Sequence, residues 1–94
     1  MRIPTHPGAI LKDELTELRL SAHALSMNLG VPASRIDQIV KCKRGVSPDT
    51  AIRLATYFGG SADFWLSLQT AYDLALAENQ SGEKIRRQIK SHAA

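Results

Sequence analysis

Apolar residues recur along this chain at helical spacing, and long alternating runs of β-branched residues are absent. Ala9, Leu11, Leu15 and Leu18 approximate one face of a first helix that opens near Pro7, a position where the N–H that proline lacks would be unpaired anyway. Ser21 is placed to cap a second helix through its hydroxyl. Leu25 and Leu29 follow at i, i+4, and Gly30 can take the left-handed conformation that closes a helix. Beyond the short Val31-Pro32 turn, Ile36, Ile39 and Val40 form the apolar face of a third helix, its end marked by Gly45. Ser47-Pro48-Asp49-Thr50 sets Ser at the N-cap, Pro at the first helical position and an acid in the first turn, where the helix dipole favours it. Ala51, Leu54, Ala55 and Phe58 face inward along that fourth helix, and Gly59-Gly60 ends it. Ser61 caps a fifth, running through Phe64, Trp65, Leu68, Tyr72 and Leu76. The expectation is an all-α domain of five short helices over residues 1–77. A basic polar tail, residues 78–94, follows, with Ile85 and Ile89 its only sizeable apolar side chains. That tail is a short amphipathic helix or a mobile end, and fraying is the favoured expectation.

Composition narrows the function classes. The chain has 94 residues, room for one domain, and its 44% hydrophobic and 22% charged content is that of a folded protein. No apolar run approaches the roughly 20 residues needed to cross a bilayer, so no membrane association is expected. The start, Met1 to Pro7, has no continuous apolar stretch, so no secretory leader is expected there. Cys42, the lone cysteine, excludes an intrachain disulfide and fits a reducing cytoplasm. His6, His23 and His92 are dispersed and offer no metal-ligand spacing, and no cofactor is expected. Neither a Ser/His/Asp set, a Gly-rich phosphate loop nor a carboxylate pair suited to a cleft is present, so an enzyme is not expected.

The net charge is only +3, and its location matters more than its size. Between Val31 and Gly45 stand Arg35, Lys41, Lys43 and Arg44 against Asp37, a local excess equal to that of the whole chain. The first helix instead holds Asp13, Glu14 and Glu17 against Lys12 and Arg19. A second basic excess lies in the tail, with Lys84, Arg86, Arg87 and Lys90 against Glu78 and Glu83.

Two short helices joined through Gly30, the second followed by a basic loop, form the pattern of a helix-turn-helix, whose second helix enters the major groove of double-stranded DNA. Its outward face carries Ala33, Ser34, Arg35, Asp37, Gln38 and Lys41. Ser34 and Gln38 are the best candidates for base edges, since hydroxyl and amide groups read donors and acceptors there. Arg35 pairs with guanine or with a phosphate. Asp37 accepts from a cytosine amine or salt-bridges Arg35 or Lys41, the bridge being favoured. Lys43 and Arg44 are expected on phosphates, giving affinity without sequence choice. Arg53 contacts phosphate or pairs with Asp49 four residues earlier, and the pair is favoured. Phe64, Leu68 and Tyr72, at i, i+4 and i+8, form an apolar stripe expected to pack partly across a two-fold axis.

From Leu20 to Leu66 the sequence resembles the lambda-repressor-like (Xre-type) helix-turn-helix proteins, and more narrowly the HigA/VapI-type antitoxins of bacterial toxin–antitoxin modules. The matching stretches are His6-Pro7-Gly8, Leu29-Gly30-Val31-Pro32, Lys43-Arg44-Gly45, Asp49-Thr50-Ala51-Ile52-Arg53-Leu54-Ala55, Tyr57-Phe58-Gly59, Phe64-Trp65-Leu66-Ser67-Leu68-Gln69 and Tyr72-Asp73-Leu74. The resemblance implies a compact five-helix domain acting as a homodimer on a palindromic operator in its own promoter, with a small ribosome-dependent ribonuclease toxin as partner. Other outcomes of the same pattern are a stand-alone repressor, or a toxin-binding module with weak DNA binding. Four positions depart from the family. Ser26 stands where a small Ala is usual, Ala22 where many relatives carry a phosphate-touching Gln, and Lys41-Cys42 where Asn-Gly is common.

Overall fold

The computed structural model describes residues 3–92. Met1 and Arg2 of the polar start and Ala93 and Ala94 of the tail lie outside it. Its α-helices are α1 (Pro7–Leu18), α2 (Ala22–Leu29), α3 (Ala33–Val40), α4 (Pro48–Phe58), α5 (Ala62–Ala77) and α6 (Glu83–Gln88), with no strand among the described residues.

Local chemistry sets the helix starts. The Ser21, Ser47 and Ser61 hydroxyls accept from the backbone N–H groups of Ala24 (3.0 Å), Thr50 (3.3 Å) and Phe64 (3.3 Å). Such a cap contributes about 1 kcal/mol. The cap of α1 is less expected. His6 supplies it, its Nδ1 accepting from the Gly8 N–H at 2.8 Å.

The helix ends follow one geometry three times. The backbone N–H groups of Leu20, Val31 and Lys43 donate to the carbonyls of Leu15, Ser26 and Gln38, five residues back. That bond requires a left-handed residue just before the donor. Gly30 fills this place in α2 with φ 70°, but Arg19 (φ 53°) and Cys42 (φ 59°) fill it after α1 and α3. The left-handed residue closing α3 is therefore Cys42 and not Gly45, as the sequence suggests. Gly45 serves packing instead: a Cβ there would lie 2.9 Å from the Gln69 side chain.

One apolar cluster joins the first five helices. Leu11, Leu15, Leu25, Leu29, Ile36, Ile39, Val46, Ala51, Leu54 and Trp65 are its buried members, and Val31, Phe58, Leu66 and Leu68 pack against it. Ser26 is also buried, and its hydroxyl donates to the His23 carbonyl at 2.6 Å. The extra polar atom thus finds its partner inside its own helix. Gly8 brings α1 onto α3 so closely that a methyl group would overlap the Ile39 carbonyl oxygen.

The tail differs most from expectation. Residues 78–82 form a π-helical turn, Glu78–Gly82, that carries α5 directly into α6. Gly82 makes room for the Glu78 carboxylate, which pairs with Arg86, while Arg87 pairs with Glu83. These local ion pairs accompany a helix with few apolar residues to bury. By the 1.5 Å rise per residue, α5 and its continuation form an arm roughly 40 Å long. Its far part leaves the five-helix body, so the molecule measures 53 × 21 × 21 Å, with a radius of gyration of 16.2 Å. A sphere-like chain of this length would have about 12 Å.

His6 couples this fold to pH. It is 7% exposed, and its ring meets the edge of Tyr72 on α5, centroids 4.8 Å apart. Burial lowers its pKa below the ordinary 6.5, opposed in part by the Asp73 carboxylate. The neutral ring is therefore favoured in the folded state. Its contribution is complete above about pH 6.5 and is lost as pH falls through that value toward the lower folded pKa. Thermal unfolding at pH 7.5 and 5.0 checks this: the melting temperature falls on acidification, and His6→Asn, which keeps a cap acceptor but does not titrate, loses part of that fall. An unchanged fall in the variant rejects the assignment.

Candidate nucleic-acid interface

The α2–α3 pair owes its angle to side chains on both sides of a three-residue turn. Gly30 takes the left-handed conformation, Val31 packs inward, and Leu25, Ile36 and Ile39 are fully buried between the helices. With its apolar side held down, α3 presents Ala33, Ser34, Asp37 and Gln38 to solvent, along with Lys41 at its end. Eight residues give α3 a length of about 12 Å, comparable to the width of the major groove.

The four cations of this region divide into two kinds. Lys41 Nζ lies 3.0 Å from Asp37 Oδ2, one turn away, which is the bridge favoured for Asp37. Arg35 Nη1 lies 3.1 Å from Asp49 Oδ1 at the start of α4, and its side chain is 25% exposed. Lys43 and Arg44, both exposed, carry no carboxylate partner among the described residues. Arg44 Nη1 only approaches Gln38 Oε1, at 3.5 Å. The unneutralised charge is thus on the loop that follows the last turn of α3, where Arg44 comes nearest Gln38.

Asp49 gathers a second set of contacts. Arg53 Nε lies 2.7 Å from Asp49 Oδ1, the i, i+4 pair expected from the sequence. Arg53 Nη1 also donates to the Leu29 carbonyl at 2.7 Å, satisfying a carbonyl that the end of α2 leaves open. The hydrogen bond from Arg53, with the nearby charges of Arg53 and Arg35, holds the Asp49 carboxyl below the usual carboxylate range.

One residue that positions the site escaped the sequence. Gln69 on α5 accepts from the Val46 N–H at 2.7 Å through Oε1 and donates to Asp73 Oδ1 at 2.9 Å through Nε2. It thereby pins the loop that carries Lys43 and Arg44 to the body. The available signal is an amide within the mostly apolar stretch from Phe64 to Tyr72, whose other polar residues are the hydroxyls Ser67 and Thr70.

The Phe64, Leu68 and Tyr72 stripe is divided by the fold. Phe64 is 52% exposed. Leu68 is half-buried against the core, and Tyr72 is half-buried with its edge contact to His6. Leu74, at 64%, is a further exposed apolar residue on α5.

No family model matches the chain. Virulence-associated protein I of Dichelobacter nodosus is 57% identical over 74 residues, 78% of this chain and 68% of that protein. The solved structure of Pseudomonas aeruginosa antitoxin HigA with the higBA promoter superposes with a TM-score of 0.90 at 46% identity, covering 95% of this chain and 98% of that one. The addiction module antidote protein of a HigA family from Coxiella burnetii superposes with a TM-score of 0.91 at 41% identity, covering 97% and 100%.

Gln69→Ala leaves the half-buried Val46 N–H without its acceptor, which costs about 1–3 kcal/mol. Chemical denaturation should register that loss, and faster amide exchange at Val46 should accompany it. Wild-type exchange at Val46 in the variant contradicts the pinning role.

Proposed function

The chain belongs to the HigA/VapI-type antitoxin family of lambda-repressor-like helix-turn-helix proteins, and from that membership we propose that it represses its own operon as a homodimer on a palindromic operator and neutralises a small ribonuclease toxin. The observation that carries the DNA half is the exposed α3 face bordered by two cations with no carboxylate partner, Lys43 and Arg44. A relative bound to promoter DNA shares this fold over nearly the whole chain, which supports the same use here.

In this assignment Ala33, Ser34 and Gln38 face base edges, where short and hydrogen-bonding groups fit the major groove. Lys43 and Arg44 hold phosphates, and Lys41 and Arg35, paired with Asp37 and Asp49, stand beside them on the DNA-facing side. Phe64 on α5 contributes to the two-fold contact, with Leu68 and Tyr72 supporting it from the inner edge of the same helix. Dimerisation is needed because one eight-residue helix reads too few bases. Two such helices one helical turn apart, about 34 Å, read a palindrome. The toxin half rests on the family alone. Its test is co-expression: the small protein encoded beside this one should co-purify with the chain and lose its toxicity.

A titration against the DNA upstream of its own coding sequence, with a scrambled duplex as reference, tests the DNA half. Equal binding of the two overturns it. Gln38→Ala should cost roughly 1–3 kcal/mol on the upstream site and relax base choice, while Arg44→Ala should weaken all duplexes alike and reduce the salt slope by about 1.

A further inference from the structure

Arg35 stands in an unusual position for a cation on this face. It lies beside Ser34 on the side of α3 assigned to DNA, yet its guanidinium is turned to Asp49 at 3.1 Å. The same Asp49 oxygen also accepts from Arg53 at 2.7 Å. Arg53 is anchored twice, on Asp49 and on the Leu29 carbonyl at 2.7 Å. The three groups are therefore unequal: the Asp49–Arg53 pair is fixed within α4, and Arg35 is the member free to leave.

Resting on the DNA-binding reading above, we infer that Asp49 is a specificity-determining residue, a latch that withholds Arg35 from non-cognate DNA and yields it on the operator. Three features support this. The Asp49 carboxylate is 57% exposed and the Arg35 side chain 25%, so the pair meets solvent and DNA can displace it. Its departure leaves no orphan charge, because Arg53 still neutralises Asp49. And Lys43 and Arg44, which have no carboxylate to give up, suffice for contact with any duplex. On non-cognate DNA, Arg35 has a carboxylate already and gains little by exchanging it. On the operator, α3 seats fully, and Arg35 exchanges its carboxylate for a well-placed phosphate. Discrimination is a difference of affinities, and a cost imposed on wrong partners raises it.

The competing account is a plain brace, in which Arg35 and Asp49 only tie α3 to α4. Salt dependence separates the two, since each phosphate contact adds about 0.9 to the slope of log K against log salt. With a latch, Asp49→Asn binds the scrambled duplex several-fold more tightly at low salt, with a slope steeper by about 0.9. The preference for the upstream site falls, and the double variant Arg35→Ala/Asp49→Asn returns the scrambled-duplex slope to the wild-type value. Arg35→Ala in the wild-type background, which leaves the Asp49–Arg53 pair in place, gives an unchanged slope on scrambled DNA and a shallower one on the upstream site. An unchanged scrambled-duplex slope in Asp49→Asn overturns the latch. So does an increase that persists in the double variant, because that reports simple removal of negative charge. If Asp49→Asn does not fold, as thermal melting would reveal, Arg35→Ala decides alone: an equal loss of slope on both duplexes, or an unchanged slope on both, rejects the proposal. Wild-type preference for upstream over scrambled DNA tests the DNA-binding reading separately.

Discussion

An eight-residue helix is too short to hold its shape in water, where isolated helices need about 12–15 residues even to be marginal. The recognition helix α3 therefore exists through what it buries. Ile36 and Ile39 are fully enclosed, each contributing about 1.5–3 kcal/mol. Their burial also decides which side chains remain outside. The close seat of Gly8 on the Ile39 carbonyl adds a second constraint, because it permits no side chain between α1 and the end of α3. A helix fixed along one face and at one end has little freedom left in rotation or tilt. That rigidity is what reading base edges demands.

The loop after α3 is held as firmly by different means. A left-handed Cys42 turns the chain, Val46 enters the core, and Gln69 takes the Val46 N–H. Lys43 and Arg44 are thus exposed side chains on an anchored backbone. The carboxylates then sort the cations. Asp37 and Asp49 take Lys41 and Arg35, and the loop pair keeps its full charge. In the proposed reading, affinity falls to the loop pair and selectivity to the neighbouring residues of α3.

Legibility in the sequence followed the range of each interaction. The serine caps, the Gly30 turn and the Asp49–Arg53 pair involve residues within five positions of each other, and their chemistry could be read directly. The Asp37–Lys41 bridge was legible for the same reason. Contacts between distant segments were not. Nothing near His6 announces that Tyr72 would cover it, and nothing near Val46 announces Gln69. Gly45 looked like a helix terminator because glycine usually is one. The backbone bond to Gln38 instead sets the left-handed residue at Cys42, and only the approach of α5 explains the glycine. The tail looked frayed because it has few apolar residues, whereas it continues α5 as a helix, with Glu78 paired to Arg86 across the π-helical turn and Glu83 to Arg87 within α6. The apolar stripe of α5 was expected to pack partly across a two-fold axis; the fold half-buries Leu68 against the core and Tyr72 against His6, and Phe64 stays exposed.

The account turns on two copies of α3 entering successive major grooves on one side of the duplex. Hydroxyl-radical footprinting of the DNA upstream of the coding sequence measures that arrangement directly. It should show two protected patches related by two-fold symmetry, with centres about one helical turn, 10 base pairs, or a whole multiple of it, apart. A single unsymmetrical patch, or uniform protection matching that of scrambled DNA, would contradict it.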